Sequence, residues 1–571
     1  MGDTERGFLR AIAEAVTHSD ATRAAATRIR IPFIKGAPLA GWGPFALFDE
    51  RVAHEEDADL PLHARALVLE HGGKRVALCS VDLHGGSRWL SERVAVLCAG
   101  EGFDIRNVFV CGTHNHAGPA GLYASRYYDA FGGSTSIWKM LWPSKRIHFN
   151  RSLAEHVAQL LSKAILDSVK ALKPARVAFA IDRLAEWNVN RSFPAFRANF
   201  PDKSDDEIKQ ELIKRGLVDP NDARALSERH GVDNRVRSVC VFDADQNVIG
   251  AYSTYGAHNA IQYRAHHRQS SDYFGFAALE FERRNPGTVC VLAAGSIGDS
   301  DPLPPEHTRD DFISRRKRLS PEEASKQLIQ PHGAALATAV ERNISQAKSN
   351  ARPLERLSFS FSEEVASGAS TKRGLLAVLA RVGVPTFGGS ELGRGPGAKE
   401  GIAALFAAAD PQSSKVLRSF NPINWVSLIA TSAALALQHN RLPVRLLELR
   451  LAETAPVRLL GLPGEPTTML SMGLMDVIRG DDAHTMVSGV TGEYSGYLTT
   501  FEEYCAQHYE GSSTIWGRLT GDWLHERAHE LLEVISGRRI EHTRDTHAHF
   551  DAPIETWVTR FDGDAGSFTE E

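Results

Sequence analysis

Two hydrophobic patterns alternate along the chain. Short apolar runs predict buried β-strands, and longer stretches with an apolar position every three or four residues predict amphipathic helices. The runs at 66–79 and 236–255 are each interrupted by a polar turn, which predicts two β-hairpins. Further strands are predicted at 108–112, 177–181, 288–294, 446–451 and 457–460, and helices at 91–98 and 152–172. This mixture predicts an α/β fold with mixed β-sheets flanked by helices.

Serines followed three residues later by glutamate mark the starts of two predicted helices. Ser152 with Glu155, and Ser204 with Glu207, each match a capping box. In that motif the serine and glutamate side chains each accept a hydrogen bond from the other residue's backbone N–H. We therefore expect helices to begin directly after Ser152 and Ser204.

The chain divides into one large domain with two appendages. Phe8, Ile12 and Val16 keep helical spacing, so residues 1–27 are predicted to form an N-terminal helical extension. Residues 28–536 hold nearly all predicted strands and helices and form the main domain. Residues 537–571 turn charged and are predicted to be a C-terminal tail.

Composition and charge are those of an ordinary globular protein. The 571 residues are 43% hydrophobic and 24% charged, and 65 basic residues against 70 acidic ones give a net charge of −5. This balance lacks the basic surface that nucleic-acid binding requires, so no nucleic-acid partner is expected.

Cysteines and apolar segments bear on the compartment. The six cysteines are widely spaced without a CxxC pair, which is typical of small core residues in a reducing compartment. The N-terminus lacks the apolar core of a signal peptide. The longest apolar run, 423–437, contains four polar residues and predicts a buried helix rather than a transmembrane segment. A cytoplasmic location is expected, and peripheral contact with a membrane stays open.

Four predicted strands end in glycine-containing loops that carry candidate ligands or catalysts. Open α/β sheets usually place their chemistry at such strand ends. Two histidines and one glutamate are a common catalytic zinc set, but the spacing here is too wide to identify a metal site by itself. Structural histidines that bind nothing are the favoured interpretation of the first loop alone. The candidates are His114 with His116, His258, Asp299 with Asp301, and Glu465.

Five segments, in order, resemble those of one enzyme family. Residues 112–119 (GTHNHAGP) are similar to its GTHTHSGP, and residues 462–469 (LPGEPTTM) to its LPGEFTT. Residues 494–514 follow its YxHYxTTxEEYxxQxYEGxST almost position for position. Residues 188–192 (NVNRS) resemble its NxNRS, and residues 395–397 (GPG) its DGPG turn. The family that these segments resemble is the neutral/alkaline, non-lysosomal ceramidases.

The resemblance implies an activity and a set of site residues. It implies that residues 28–536 form a zinc-dependent amidohydrolase domain of ceramidase-like fold, which cleaves an N-acyl sphingosine. Carried over by position, the zinc ligands would be His114, His258, Glu465 and Tyr497, and the residues lining the reacting amide would be His116, Arg191 and Tyr509.

The implied chemistry suits these residue types. Zinc lowers the pKa of a bound water to about 7, and the resulting metal-bound hydroxide would attack the amide carbonyl. Arg191 or Tyr509 would stabilise the oxyanion, and His116 would pass a proton to the leaving amine.

Three departures from the family limit what is carried over. Asp301 stands where the family's GDxSPN segment has a serine, which makes a serine nucleophile doubtful and Asp301 a candidate catalytic group. Gly496 replaces a histidine, which is expected to open space near the metal. Only 54 of the 571 residues follow Gly517. That is too few for a C-terminal immunoglobulin-like domain of roughly 100 residues, so the fold is expected to lack one.

The leading hypothesis is a zinc-dependent hydrolase that cleaves the amide bond of an N-acyl amine, with a small-molecule or lipid-like substrate. A zinc esterase or lactonase acting on another acyl substrate is the alternative within enzymes. A family member that binds a lipid-like ligand without turnover is the alternative from another class.

Overall fold

The computed structural model of the protein describes residues 21–41, 52–123, 149–377 and 441–539. Several predicted features lie outside these ranges. They are the N-terminal extension up to residue 20, the turn at 395–397, the apolar helix at 423–437 and the tail from residue 540.

The strands of the described residues are numbered in chain order. The first twelve are β1 (Arg23–Arg30), β2 (Glu55–Glu56), β3 (His63–His71), β4 (Lys74–Val81), β5 (Val108–Gly112), β6 (Lys173–Arg183), β7 (Asn188–Asn190), β8 (Arg235–Asp243), β9 (Val248–Tyr255), β10 (Arg268–Gln269), β11 (Val289–Ala294) and β12 (Ser300–Pro302). The others are β13 (Leu354–Val365), β14 (Ser370–Thr371), β15 (Gly374–Leu375), β16 (Arg441–Leu451), β17 (Val457–Gly461), β18 (Glu465–Pro466), β19 (His484–Ser488) and β20 (Tyr497–Leu498).

The α-helices of the same residues follow in chain order. They are α1 (Arg88–Leu97), α2 (Arg151–Lys170), α3 (Phe193–Arg197), α4 (Asp205–Lys214), α5 (Asp272–Arg284), α6 (Arg309–Arg318), α7 (Pro321–Ala324), α8 (Gln330–Ala347), α9 (Thr468–Arg479), α10 (Phe501–Ala506), α11 (Tyr509–Ser512) and α12 (Thr520–Ile535). A π-helical turn, Ser325–Ile329, joins α7 to α8.

The larger sheet has eight strands in the order β11-β9-β8-β6-β1-β3-β4-β5. Its centre is antiparallel, whereas each edge ends in a parallel pair. Helix α1 crosses from β4 to β5, and α5 crosses from β9 to β11. In parallel pairs the carboxyl ends of both strands reach the same edge of the sheet, where ligands usually bind.

The smaller sheet has four strands in the order β13-β16-β17-β19. Strands β17 and β19 are parallel, and α9 crosses between them. The loop after β17 carries Glu465. The sheet thus repeats the strand, helix and strand unit found at both edges of the larger sheet.

The two sheets face each other and form the inner layers of a four-layer arrangement. Alternate residues of a strand point to opposite faces. Leu67 and Leu69 of β3 therefore share a core with Leu447 and Leu459 of the smaller sheet. Ala66 instead belongs to the core under α1 and α2. Helices α5 and α8 cover the rest of the larger sheet, and α9 and α12 cover the smaller one.

Glycines let the loops between the two sheets approach closely. The backbone N–H of Gly86 donates to the carbonyl of Val490 at 2.8 Å, and that of Gly492 donates to Val110 at 2.8 Å. A Cβ on Gly86 would lie 2.0 Å from the carbonyl oxygen of Val110, so no larger residue fits there. These contacts hold the exit of β5 against the loop that follows β19.

The predicted α/β fold and both predicted hairpins are confirmed. The hairpins are β3–β4 and β8–β9. Ser204 caps α4 in a complete capping box, as predicted. The prediction for Ser152 was wrong, because α2 begins at Arg151 and Asn150 is its cap, with a side chain that accepts from the N–H of Leu153.

The N-terminal extension predicted for residues 1–27 overlaps a strand of the larger sheet. Strand β1 begins at Arg23 and pairs along its length with β3, so residues 23–27 form a strand and not a helix. Within the described part of the chain, no helix combines the length and the apolar character needed to span a bilayer.

One histidine is buried far from any polar partner. His332 of α8 lies between the rings of Trp187 and Tyr273, at centroid distances of 4.8 and 4.4 Å. Neither ring nitrogen has a hydrogen-bond partner among the described residues. Burial lowers the pKa of His332 to about 3.

This burial predicts a loss of stability in acid. Between pH 6.5 and 3 the unfolded chain binds a proton at this position and the folded chain does not, so the free energy of unfolding falls as the pH falls. At pH 5 the difference from pH 8 is about 2 kcal/mol. His332→Leu should remove this contribution, so the unfolding midpoint measured by calorimetry should fall less between pH 8 and pH 5 than it does in the wild type. The exposed His529→Leu is the control, and an equal fall in all three proteins would contradict the prediction.

Candidate metal centre

Three strand exits meet at one buried point between the sheets. His114 follows β5, His258 follows β9 and Glu465 follows β17. Each of these residues is at most 2% exposed. His114 has a φ of +57°, a conformation that costs a non-glycine residue energy and that is held here by the surrounding backbone.

Backbone carbonyls set the protonation of both imidazoles. Nδ1 of His114 lies 3.1 Å from the carbonyl oxygen of His84, and Nδ1 of His258 lies 3.1 Å from that of Ser300. A carbonyl oxygen only accepts hydrogen bonds, so each Nδ1 carries the proton. Each Nε2 is then left with a lone pair, the form in which histidine binds metals.

The carboxylate of Glu465 faces both of these nitrogens. Its Oε2 lies 3.4 Å from Nε2 of His114 and 3.0 Å from Nε2 of His258. All three atoms are acceptors, and Oε2 receives no hydrogen bond from the described residues. Lone pairs at these distances repel one another unless a cation lies among them. Two imidazoles and one carboxylate are a fitting donor set for Zn²⁺.

Burial favours the neutral form of His114 and His116. Desolvation lowers the pKa of His114, and it lowers the pKa of His116 well below its usual value. Nε2 of His116 lies 3.2 Å from Nε2 of His114. A Cβ on Gly41 would lie 2.4 Å from the ring of His116, so a glycine backbone covers that ring.

Tyr497 is placed beside Glu465 by a two-residue parallel pair. Glu465 of β18 is directly opposite Tyr497 of β20. The Tyr497 hydroxyl accepts a hydrogen bond from Nη2 of Arg191 at 2.9 Å. Nη1 of Arg191 is in turn 3.5 Å from Nε2 of His258. The phenol and the guanidinium therefore line the same side of the cluster.

Arg191 joins the remaining predicted residues. Its Nη1 donates to Oδ1 of Asp301 at 3.1 Å, and its Nε donates to Oε1 of Glu510 at 2.8 Å. Its Cζ lies 5.3 Å from the centre of the Tyr509 ring. The Tyr509 ring is also 5.2 Å from that of Tyr497. The structure thus brings all eight predicted residues into one connected cluster: His114, His116, Arg191, His258, Asp301, Glu465, Tyr497 and Tyr509.

Asp301 lies in this cluster as a partner of Arg191.

Neighbouring Asp299, at the exit of β11, accepts from the N–H and hydroxyl of Thr468 and from Asn190. It ties the start of α9 to β7. Burial raises the pKa of Asp299 to about 6.

Gly496 adopts a backbone conformation that favours glycine. Its φ is +77°, which glycine adopts without strain. A Cβ there would lie 3.0 Å from the carbonyl oxygen of Ser513 and 3.8 Å from the side chain of Ile515. The carbonyl of Gly496 accepts from the N–H of Glu465 at 2.9 Å, so Gly496 lies beside the cluster, and the expectation that it opens space near a metal stays a prediction.

Two residues that touch the ligands were not predicted from the sequence. The Tyr494 hydroxyl donates to Oε1 of Glu465 at 2.8 Å. The ring of His84 lies 4.5 Å from that of His114. Tyr494 lies inside a segment that was already singled out. His84 follows β4 directly before Gly85-Gly86, so it carried the same strand-exit signal as the four loops that were chosen.

Tyr494 generates a testable prediction. Its hydroxyl orients the carboxylate that faces both imidazoles, and loss of such a partner typically weakens metal binding by roughly 10- to 100-fold. Tyr494→Phe should raise the zinc dissociation constant by that factor, measured by competition with a chromogenic chelator. The control is Tyr263→Phe, outside the cluster. Equal zinc affinity in Tyr494→Phe and the wild type would show that the hydroxyl does not support a metal ligand.

Most of this chain aligns with known proteins of similar sequence. It is 24% identical to the neutral ceramidase of Mycobacterium tuberculosis over 547 residues, covering 89% of this chain and 76% of the relative. It is 23% identical to the neutral ceramidase of Pseudomonas aeruginosa over 482 residues. That match covers 80% of this chain but 64% of the Pseudomonas protein, so the chain spans slightly less than two thirds of that relative.

Solved structures and a family model complete the comparison. The crystal structure of the Pseudomonas aeruginosa neutral ceramidase matches with a TM-score of 0.65 at 19% identity, over 91% of this chain and 75% of that one. A ceramidase complexed with C2 matches with a TM-score of 0.67 at 20% identity, over 92% and 76%. At these identities the structures support the fold. Residues 59–302 and 428–525, more than half of the chain, match the N-terminal model of the neutral/alkaline non-lysosomal ceramidases, and the chain belongs to that family.

Proposed function

We propose that this protein is a zinc-dependent hydrolase that cleaves the amide bond of an N-acyl amine. A ceramide-like N-acyl sphingoid base is the first substrate to test, because the family and the relatives named above are ceramidases. The observation that carries the proposal is the convergence of three acceptor atoms, on His114, His258 and Glu465, with no donor among them.

The ligand set would be His114, His258, Glu465 and Tyr497. A bound zinc ion would supply a water of lowered pKa and a positive charge beside the reacting carbonyl. The protein's part is to hold these ligands in place and keep them dry. All four are buried, and the carbonyl bonds at Nδ1 keep both imidazoles turned toward the carboxylate.

His116 is the group proposed to move the proton. Amide cleavage requires a proton on the departing nitrogen, because an amine anion is too poor a leaving group. The neutral ring of His116 lies beside His114 under the backbone of Gly41. It would take a proton at a ring nitrogen and pass it to the amine.

Arg191 and Tyr509 are proposed to meet the charge that develops on the carbonyl oxygen. Asp301 and Glu510 bind the guanidinium and fix its position, which favours its charged form. Burial raises the pKa of Tyr509 to about 12, so its hydroxyl keeps its proton and remains a donor. Preorganised donors of this kind are worth several kcal/mol in a dry site.

Two alternative functions each have an argument in their favour: an esterase or lactonase, and a ligand-binding protein without turnover. An ester or lactone departs as an alkoxide, which needs less help from a proton donor. Activity on esters that survives loss of His116 would therefore favour the esterase. The alternative without turnover rests on Arg191, whose N–H groups already serve Asp301, Glu510, Tyr497 and a backbone carbonyl.

The cellular location and the substrate class are further parts of the proposal. We propose a cytoplasmic protein that acts on a small-molecule N-acyl or lipid-like substrate. Five cysteines are buried and form no disulfide among the described residues, which fits a reducing compartment: Cys79, Cys98, Cys111, Cys240 and Cys290.

The test separates metal binding from proton transfer. Purified protein is assayed for zinc by elemental analysis and for fatty-acid release from short- and long-chain N-acyl sphingosines. His114→Ala should lose both zinc and activity. His116→Ala should keep zinc and lose about 10²- to 10⁴-fold in kcat.

His529→Leu, which removes an exposed histidine of α12, is the matched control and should keep both properties. Activity that persists in His114→Ala would refute the metal mechanism. Zinc binding without turnover of any N-acyl or ester substrate would leave the ligand-binding alternative.

A further inference from the structure

A second set of nitrogen atoms surrounds the same imidazole of His114. The ligand atoms of His84, His114 and His116 lie within 4.8 Å of one another, as do those of His114, His258 and Glu465. His84 and His116 are 2% and 7% exposed, and His114 is fully buried. The first set contains only imidazoles, whereas the second contains a carboxylate.

His84 is held with one nitrogen free for this set. Its Nδ1 is 2.9 Å from the hydroxyl of Tyr123, which leaves Nε2 as the nitrogen available to a ligand. Its ring lies 4.5 Å from the ring of His114 and 5.4 Å from that of His116. Tyr494 packs edge-on against its other side, at 4.6 Å. His84 is therefore held by contacts on several sides, with its ring beside those of His114 and His116.

The two sets compete for one lone pair. Nδ1 of His114 donates to a carbonyl, so Nε2 alone can bind an ion. That Nε2 faces His116 Nε2 at 3.2 Å and Glu465 Oε2 at 3.4 Å. A single imidazole lone pair binds one ion, so the two sets are alternatives and do not form a two-metal centre.

Metal ions differ in which set they prefer. Zinc accepts mixed nitrogen and carboxylate ligands, whereas Cu²⁺ and Ni²⁺ bind imidazole nitrogen more strongly than carboxylate oxygen. We propose that His84, His114 and His116 form an alternative site for nitrogen-preferring divalent ions such as Cu²⁺, with His84 as a metal ligand. The inference rests on the proposed function only in taking the His114, His258 and Glu465 set as the zinc site.

Occupation of the alternative site has a direct consequence. An ion bound there engages the ring nitrogen of His116 that is proposed to carry the proton. It also leaves Glu465 without a cation. Cu²⁺ at this site would therefore inhibit hydrolysis.

The test counts the nitrogens bound to copper. Metal-free protein is loaded with one equivalent of Cu²⁺ and examined by electron paramagnetic resonance, which resolves coupling to each ligand nitrogen. We expect three imidazole nitrogens in the wild type, two in His84→Gln and three in His258→Ala. The Cu²⁺ dissociation constant of His84→Gln should rise by roughly tenfold or more.

Two controls guard against misfolding. His529→Leu removes an exposed histidine of α12 and should keep three nitrogens. Tyr123→Phe keeps the imidazole of His84 and should also keep three. If His84→Gln fails to fold, His258→Ala still decides the matter. Two nitrogens in the wild type that fall to one in His258→Ala would place copper with Glu465 and overturn the inference.

Hydrolysis by the zinc-loaded protein is a separate readout. Three coupled nitrogens without any hydrolysis would remove the proposed function and leave the copper site. Hydrolysis by the zinc-loaded protein, together with the same number of coupled nitrogens in His84→Gln and the wild type, would support the proposed function and overturn the copper site.

Discussion

The repulsion among three buried acceptor atoms is the constraint on which this site depends. His114, His258 and Glu465 point lone pairs at one another at distances of 3.0 and 3.4 Å. The backbone enforces this arrangement, because the carbonyls of His84 and Ser300 hold the protons of both imidazoles at Nδ1. Side chains that were free to turn would avoid the conflict. Here two facing sheets fix the strand exits from which they project, so a cation bound among the three atoms would relieve their repulsion.

Arg191 extends this constraint to the rest of the cluster. It contacts Asp301 and the carbonyl of Gly298 in one segment, and Tyr497 and Glu510 in two later segments. Removing one partner of a buried ion pair typically costs about 3–5 kcal/mol, since the other charge is left unpaired. Asp301 is thus coupled to Arg191 and, through it, to Tyr497. Asp301, where the family resemblance places a serine, thus helps to hold the guanidinium.

Part of this structure was predictable from the sequence, for identifiable reasons. The hairpins and the α/β class followed from local apolar periodicity, which depends on near neighbours. The strand-exit loops pointed to His114, His258 and Glu465, and the family resemblance added Arg191, Tyr497 and Tyr509. Long-range packing was not predictable. The facing of the two sheets, the contact of His84 with His114 and the bond from Tyr494 to Glu465 all join distant segments. Local competition also misled, since Asn150 caps α2 in preference to Ser152.

The placement of the ligands also bears on the order in which the site is completed. His84 and His116 lie at the ends of the β4, α1 and β5 unit, whereas Glu465 begins β18, late in the chain. A ribosome synthesising this protein releases the three neighbouring imidazoles long before the carboxylate exists. Of the side chains in the two sets, the carboxylate that distinguishes the mixed set from the all-imidazole set is therefore the last to be synthesised.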